Sequence, residues 1–215
     1  EHRAQLKAFY SVLKTQDRYI KFAFLTGVTK FGKVSVFSDL NNLMDISMDH
    51  RYISICGMTE KELLTNFKEG ISELASANED NETETIDKLR MRYAGYYFEE
   101  NSEEIYNPFS VLNTLANSRY DDYWFKANTH TFLIDILKKH DYCITDLNKA
   151  QVKANMMNNV DSNPIPVIYQ SGYLTIKSYD ERFKNYQLGI PNKEIEEGIL
   201  NLFPPPISKR RKTDC

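Results

Sequence analysis

The chain has 215 residues, 41% of them hydrophobic and 27% charged, and a formal net charge of −3. That is enough for one ordinary domain or two small ones, with the balance of a folded soluble chain and not a disordered one. The mildly acidic balance counts against a dedicated nucleic-acid binder, and no apolar run approaches the roughly 20 residues of a bilayer span.

The start, Glu1 to Gln5, is polar and charged, with no signal-like apolar segment after it, so a cytoplasmic location is expected. Leu6, Phe9 and Leu13 recur at helical spacing and predict a first helix. Tyr19 to Leu25 is rich in aromatic and β-branched residues and stops at Thr26-Gly27, which predicts a buried strand. A helix feeding a buried strand is the grammar of an α/β sheet. Phe31 to Asn42 reads as a loop with a short helix, and Asp45 to Gly57 as a segment with one more strand.

From Thr59 the texture becomes helical. Thr59 and Glu62 have the spacing of a capping box and open a helix through Leu63, Leu64 and Phe67. Asn78 to Thr85 reads as a solvated loop and Ile86 to Tyr93 as another helix. Asn107-Pro108 is a helix start, with Phe109, Leu112 and Leu115 expected inward. A further helix is expected from about Thr129 to Lys139 through Phe132, Leu133, Ile136 and Leu137. Lys138, Lys139 and His140 at its end suit the helix dipole. Val167 to Gln170, Tyr173 to Lys177 and Tyr186 to Leu188 predict a β-hairpin with an extra strand. Asn192 caps a last helix carrying Ile195, Ile199, Leu200 and Leu202, and Pro204-Pro205-Pro206 ends it before a disordered tail, 204–215.

Several of these stretches together resemble a known family. Phe24-Leu25-Thr26-Gly27-Val28-Thr29-Lys30-Phe31, with Val34 to Leu43 after it, is similar to the bacterial AAA-ATPase-like family. Tyr93 to Phe98, Tyr106-Asn107-Pro108-Phe109-Ser110, Tyr123-Trp124-Phe125, Thr131-Phe132-Leu133, Tyr169 to Ile176 and Gly189-Ile190-Pro191-Asn192 follow in the expected order. The resemblance runs to about Phe203. That family is common in gut Bacteroidetes and often carries a PD-(D/E)XK nuclease-like domain.

The resemblance implies an α/β remnant of a P-loop-type ATPase core over 1–57, with the sensor strand. A mostly α-helical lid over 58–140 and a small winged-helix-like α+β end over 141–203 follow from it. Thr26 is implied as the sensor of a γ-phosphate, with Thr29 and Lys30 beside it beyond the carboxyl end of a strand, where α/β sheets bind ligands. The family's phosphate loop and magnesium-site strand lie upstream of Phe24, so the chain is expected to be a truncated or split form. Its partners would be the upstream P-loop half and a C-terminal nuclease-like domain. ATP and Mg2+ belong to the full-length relative, and this chain alone is expected to take no cofactor.

The remaining residues carry little chemistry of their own. The sequence contains no GxxxxGK[ST] loop, and Gly32-Lys33-Val34 lacks the hydroxyl that ligates magnesium. His2, His50, His130 and His140 stand at no metal-ligand spacing and read as surface or cap residues. Cys56, Cys143 and Cys215 form no CxxC pair, and Cys56 reads as a small core residue. Asp121-Asp122 and Glu99-Glu100 read as solvated pairs, and the aromatic cluster from Tyr93 to Phe109 as packing between helices. Lys209-Arg210-Arg211-Lys212 reads as part of a flexible tail. Two functions stay open. One is a nucleotide-dependent switch acting on an attached effector domain and not competent for hydrolysis alone; the other is a non-enzymatic protein- or DNA-interaction module.

Overall fold

The computed structural model describes residues 2–27, 43–100, 102–127, 130–142, 144–157 and 163–202. Among them are ten α-helices and two small antiparallel sheets, a mixed α/β chain dominated by helix. The expected first helix is α1, His2–Thr15. The buried strand expected next is absent: a 3-10 turn, Asp17–Tyr19, leads into chain that pairs with no ladder, and Phe22 is 81% exposed. Aromatic and β-branched content expresses fitness for a pleated, half-buried surface, and no described segment offers that surface here. The strand expected within Asp45–Gly57 is also replaced, by turns and a 3-10 turn at His50–Tyr52. Asp49 drives that choice, because its carboxylate accepts from the Arg51 N–H at 3.0 Å and bends the chain back. Cys56, expected in the core, is exposed on this irregular stretch. The loop and short helix expected at 31–42 and the tail beyond Leu202 lie outside the described residues.

The helical half is built on local caps. Strand β1, Met58–Thr59, runs into α2, Glu60–Asn66, through the expected capping box. The Thr59 hydroxyl accepts from the Glu62 N–H at 3.2 Å, and the Glu62 carboxylate accepts from the Thr59 N–H at 2.9 Å. Helix α3, Lys68–Ala77, follows after one residue, and α4 covers Glu82–Tyr93. The loop expected over 78–85 is shorter, because Asn81 and Glu84 form a second capping box and start α4 early. Strand β2, Ile105–Tyr106, pairs with β1, and α5, Pro108–Asn117, follows. Asn107 caps α5 through the Phe109 and Ser110 N–H groups. The inward face of α5 differs from expectation: Phe109 and Leu112 are exposed, while Ser110, Val111, Thr114 and Leu115 are buried. The face is set by Val111 and Leu115, four residues apart, which join Leu63, Ile71, Leu74, Leu89 and Tyr93 in one core.

The second half comprises α6, Tyr123–Ala127; α7, Thr131–His140; α8, Ile144–Leu147; and strand β3, Gln151–Lys153. After it come α9, Ile165–Gln170; β4, Thr175–Asp180; β5, Asn185–Gly189; and α10, Lys193–Leu202. The expected hairpin is β4–β5, but the extra strand is not Val167–Gln170, which is helical in α9. Prolines at 164 and 166 suit a first helical turn, and the Asn163 side chain accepts from the Ile165 N–H at 3.0 Å. The third strand is β3, on the other side of β5, giving the order β3-β5-β4. Leu133 and Leu137 of α7 point inward as expected, whereas Phe132 is exposed. They share a core with Val152, Ile168, Ile176, Leu188, Ile195 and Ile199.

The two cores meet along a seam of close backbone contacts. Gly95, at φ +87°, lies so near Pro191 that a Cβ would sit 2.1 Å from the Pro191 carbonyl oxygen. Next to it the Asn192 amide donates to the Ala94 carbonyl at 2.7 Å, and the Tyr97 N–H donates to the Thr175 hydroxyl at 2.6 Å. Asn192 also caps α10 as expected, accepting from the Ile195 N–H at 3.2 Å.

Candidate functional site

Of the three residues singled out for nucleotide sensing, Thr26 lies exposed at the end of the unpaired stretch. A Cβ built on Gly27 beside it meets nothing within 4 Å. Thr29 and Lys30 lie outside the described residues. The described residues hold no group of three or more His, Cys, Asp or Glu placed to bind a metal ion.

The most developed polar centre sits on the seam, and sequence reasoning passed over it. Helix α10 packs against α6 because Gly198 has no side chain: a Cβ there would lie 2.4 Å from the Phe125 ring. One turn earlier, the same face of α10 carries Glu194, which is fully buried. Its Oε1 accepts from the Trp124 N–H at 2.8 Å and the Phe125 N–H at 3.4 Å, both in the first turn of α6, where N–H groups have no partner within the helix. Its Oε2 accepts from the Ser110 hydroxyl of α5 at 2.7 Å. The Ser110 oxygen in turn accepts from the Trp124 N–H at 3.3 Å. Burial pushes the Glu194 carboxyl above its ordinary value, against the pull of these hydrogen bonds.

Ion pairs surround this centre. Arg92 of α4 bridges Asp122 at 2.7 Å and Glu197 of α10 at 3.1 Å. Asp121 pairs with Lys126, and its carbonyl accepts from the Tyr93 hydroxyl at 2.9 Å. The Asp121-Asp122 pair, read as solvated, is thus engaged on the seam. Burial likewise raises the Tyr96 phenol, which donates to the Gly172 carbonyl at 3.3 Å. The aromatic cluster does serve as packing at Tyr93, Tyr96 and Tyr106, all buried.

His130 is also more than a surface residue. Its ring stacks on Phe125 with centroids 3.7 Å apart, Nδ1 meets the Tyr173 hydroxyl at 2.8 Å, and Nε2 meets the Phe125 carbonyl at 2.5 Å. Both nitrogens are used internally, which leaves neither to a ligand.

A Ser hydroxyl bonded to a carboxylate has the outline of an activated nucleophile, yet Ser110 and Glu194 are both sealed from solvent. Sealed in this way, the pair joins α5, α6 and α10. The sequence signal for it was slight: a Glu four residues before Gly198, on the flank of the Ile195–Ile199 stripe.

Comparisons with known proteins bear on the N-terminal segment first. A family model described as a predicted AAA-ATPase, AAA-ATPase-like, matches residues 1–37. The chain is 34% identical over 223 residues to a protein of Azotobacter chroococcum mcd 1, described as an uncharacterized protein in the vnfD 5' region. The match takes in 99% of this chain and 41% of that relative, so the chain spans well under half of the relative's length. No solved structure matches. No helix among the described residues is long and apolar enough to cross a membrane.

Proposed function

We propose that the chain is part of an AAA-type nucleotide switch, with residues 1–57 belonging to its ATPase core and Thr26 sensing the γ-phosphate beside Thr29 and Lys30. The observation that carries this reading is a coincidence of place. The AAA-ATPase-like match, 1–37, spans the stretch 19–25, whose strand-like residues lie unpaired with Phe22 and Phe24 exposed. Such a segment gains backbone hydrogen bonds and apolar cover together when it adds to a sheet edge. The sheet would be that of a P-loop half, which supplies the phosphate loop these 215 residues lack, along with ATP and Mg2+. Residues 58–140, with helices α2 to α7, then act as a lid. Helix α9 with the β4–β5 hairpin and α10 forms a winged-helix-like end that passes the nucleotide state to an effector, a nuclease-like domain in the resemblance.

The same exposed stretch also favours a second reading, a binding module that docks by Phe22 and Phe24 without nucleotide. A fluorescent ATP analogue with Mg2+ separates the two. The chain alone is expected to show no saturable binding at millimolar concentration. Adding the part of the Azotobacter relative that this chain does not cover should create saturable binding, weakened by Thr26→Ala and by Lys30→Ala. Saturable binding by the chain alone, or binding indifferent to both substitutions, overturns the switch. A complex that forms without nucleotide binding supports the second reading.

A further inference from the structure

Three helices and both cores converge on one carboxylate. Glu194 is 0% exposed, on α10, with the Ser110 hydroxyl of α5 on one oxygen and the Trp124 and Phe125 N–H groups of α6 on the other. Buried carboxylates ordinarily have a cation in contact. Among the described residues none contacts this one. Arg92, across the seam on α4, is engaged by Asp122 and Glu197, and Lys193 on α10 itself reaches Glu197 at 3.5 Å. The other titratable groups facing it are Asp122 at the entry to α6, whose charge disfavours a second one at Glu194, and the phenol of Tyr96 after α4, which burial and Glu194 keep protonated. Tyr93 of α4 and Asp121 are tied to each other nearby.

We propose that Glu194 is a proton-sensitive clamp: the seam between the two cores takes up a proton from water when it closes and returns it when it opens. Protonated, the carboxyl donates its O–H to the Ser110 oxygen, and its other oxygen still accepts from the Trp124 N–H. Ionised, it makes stronger hydrogen bonds but bears an uncompensated buried charge. Burial raises the carboxyl, so the group holds protons more tightly in the closed state than in the open one. Its contribution to the closed state is therefore full below the ordinary carboxylate range. It is lost as pH rises through the raised value of Glu194, and is constant above it. This clamp goes beyond the nucleotide reading and does not depend on it.

Trp124, the chain's single tryptophan, donates its own N–H to the clamp and reports on it directly. Urea unfolding followed by its fluorescence, from about pH 4 to about pH 8, compares the chain with Glu194→Gln. The substitution keeps the shape, with an amide that donates to Ser110 and an oxygen that accepts from Trp124. The folding constant of the chain relative to Glu194→Gln is expected to fall several-fold as pH rises across that range. A ratio that does not change with pH overturns the clamp. Should Glu194→Gln not fold, carboxyl-carbon NMR of the unsubstituted chain decides. Glu104 is the other glutamate whose carboxyl burial raises, so Glu104→Gln removes its signal. One glutamate should then still titrate above the ordinary range, and finding none overturns the proposal.

Discussion

At the scale of single residues, the tightest constraint is Gly198. An alanine there would place its Cβ 2.4 Å from two carbons of the Phe125 ring. That ring has little room to yield, being stacked on His130 and edge-on to Tyr173. Gly198→Ala is therefore expected to cost about 1–3 kcal/mol by overpacking, read as a lower urea midpoint. Gly198 also explains why Glu194 escaped sequence reasoning. Acidic residues in a first helical turn are usually solvated and favourable to the dipole, and the exposed Glu196 beside it fits that habit. Only the approach of α6, permitted by a glycine one turn later, converts Glu194 into a buried acceptor.

At the scale of elements, local capping chemistry was legible and strand pairing was not. Thr59 with Glu62, Asn107 with Pro108, and Asn192 each sit where the sequence placed them, because a cap needs only neighbours in the chain. Asn107 accepts from two N–H groups, so Asn107→Ala should cost about 0.5–2 kcal/mol, seen as a lower thermal midpoint. Strands depend on partners far away. Tyr19 to Leu25 has strand composition without a pairing neighbour among the described residues, and Val167 to Gln170 was captured by prolines that suit a helix start. Gln151 to Lys153 shows the reverse: an unremarkable polar-apolar-polar triplet becomes a strand because β5 offers it an edge.

At the scale of the whole molecule, two apolar cores are joined through a polar seam, with an apolar N-terminal stretch left uncovered. That stretch contributes little to the fold it hangs from. Phe22→Asp together with Phe24→Asp is expected to leave the unfolding midpoint within about 0.5 kcal/mol of the parent. The same pair should abolish association with the remaining part of the Azotobacter relative in sedimentation. A large loss of stability would show instead that the stretch is integral to the fold. The site implied by resemblance, Thr26 with Thr29 and Lys30, rests on motif order alone. The Glu194 centre required knowing which helices touch, since its three contacting residues lie 69 to 84 positions from it in the chain.

The Gly95–Pro191 contact has a consequence for how the molecule is made. A ribosome releases the helical half first, and its core of Leu63, Leu89 and Val111 is complete without anything later. The Ala94 carbonyl and the Ser110 hydroxyl must nevertheless wait, still hydrated, until Asn192 and Glu194 emerge. The nascent chain therefore carries a finished first core and an open docking face through the synthesis of roughly 80 residues, a window in which a chaperone, or a neighbouring nascent copy, meets that face first.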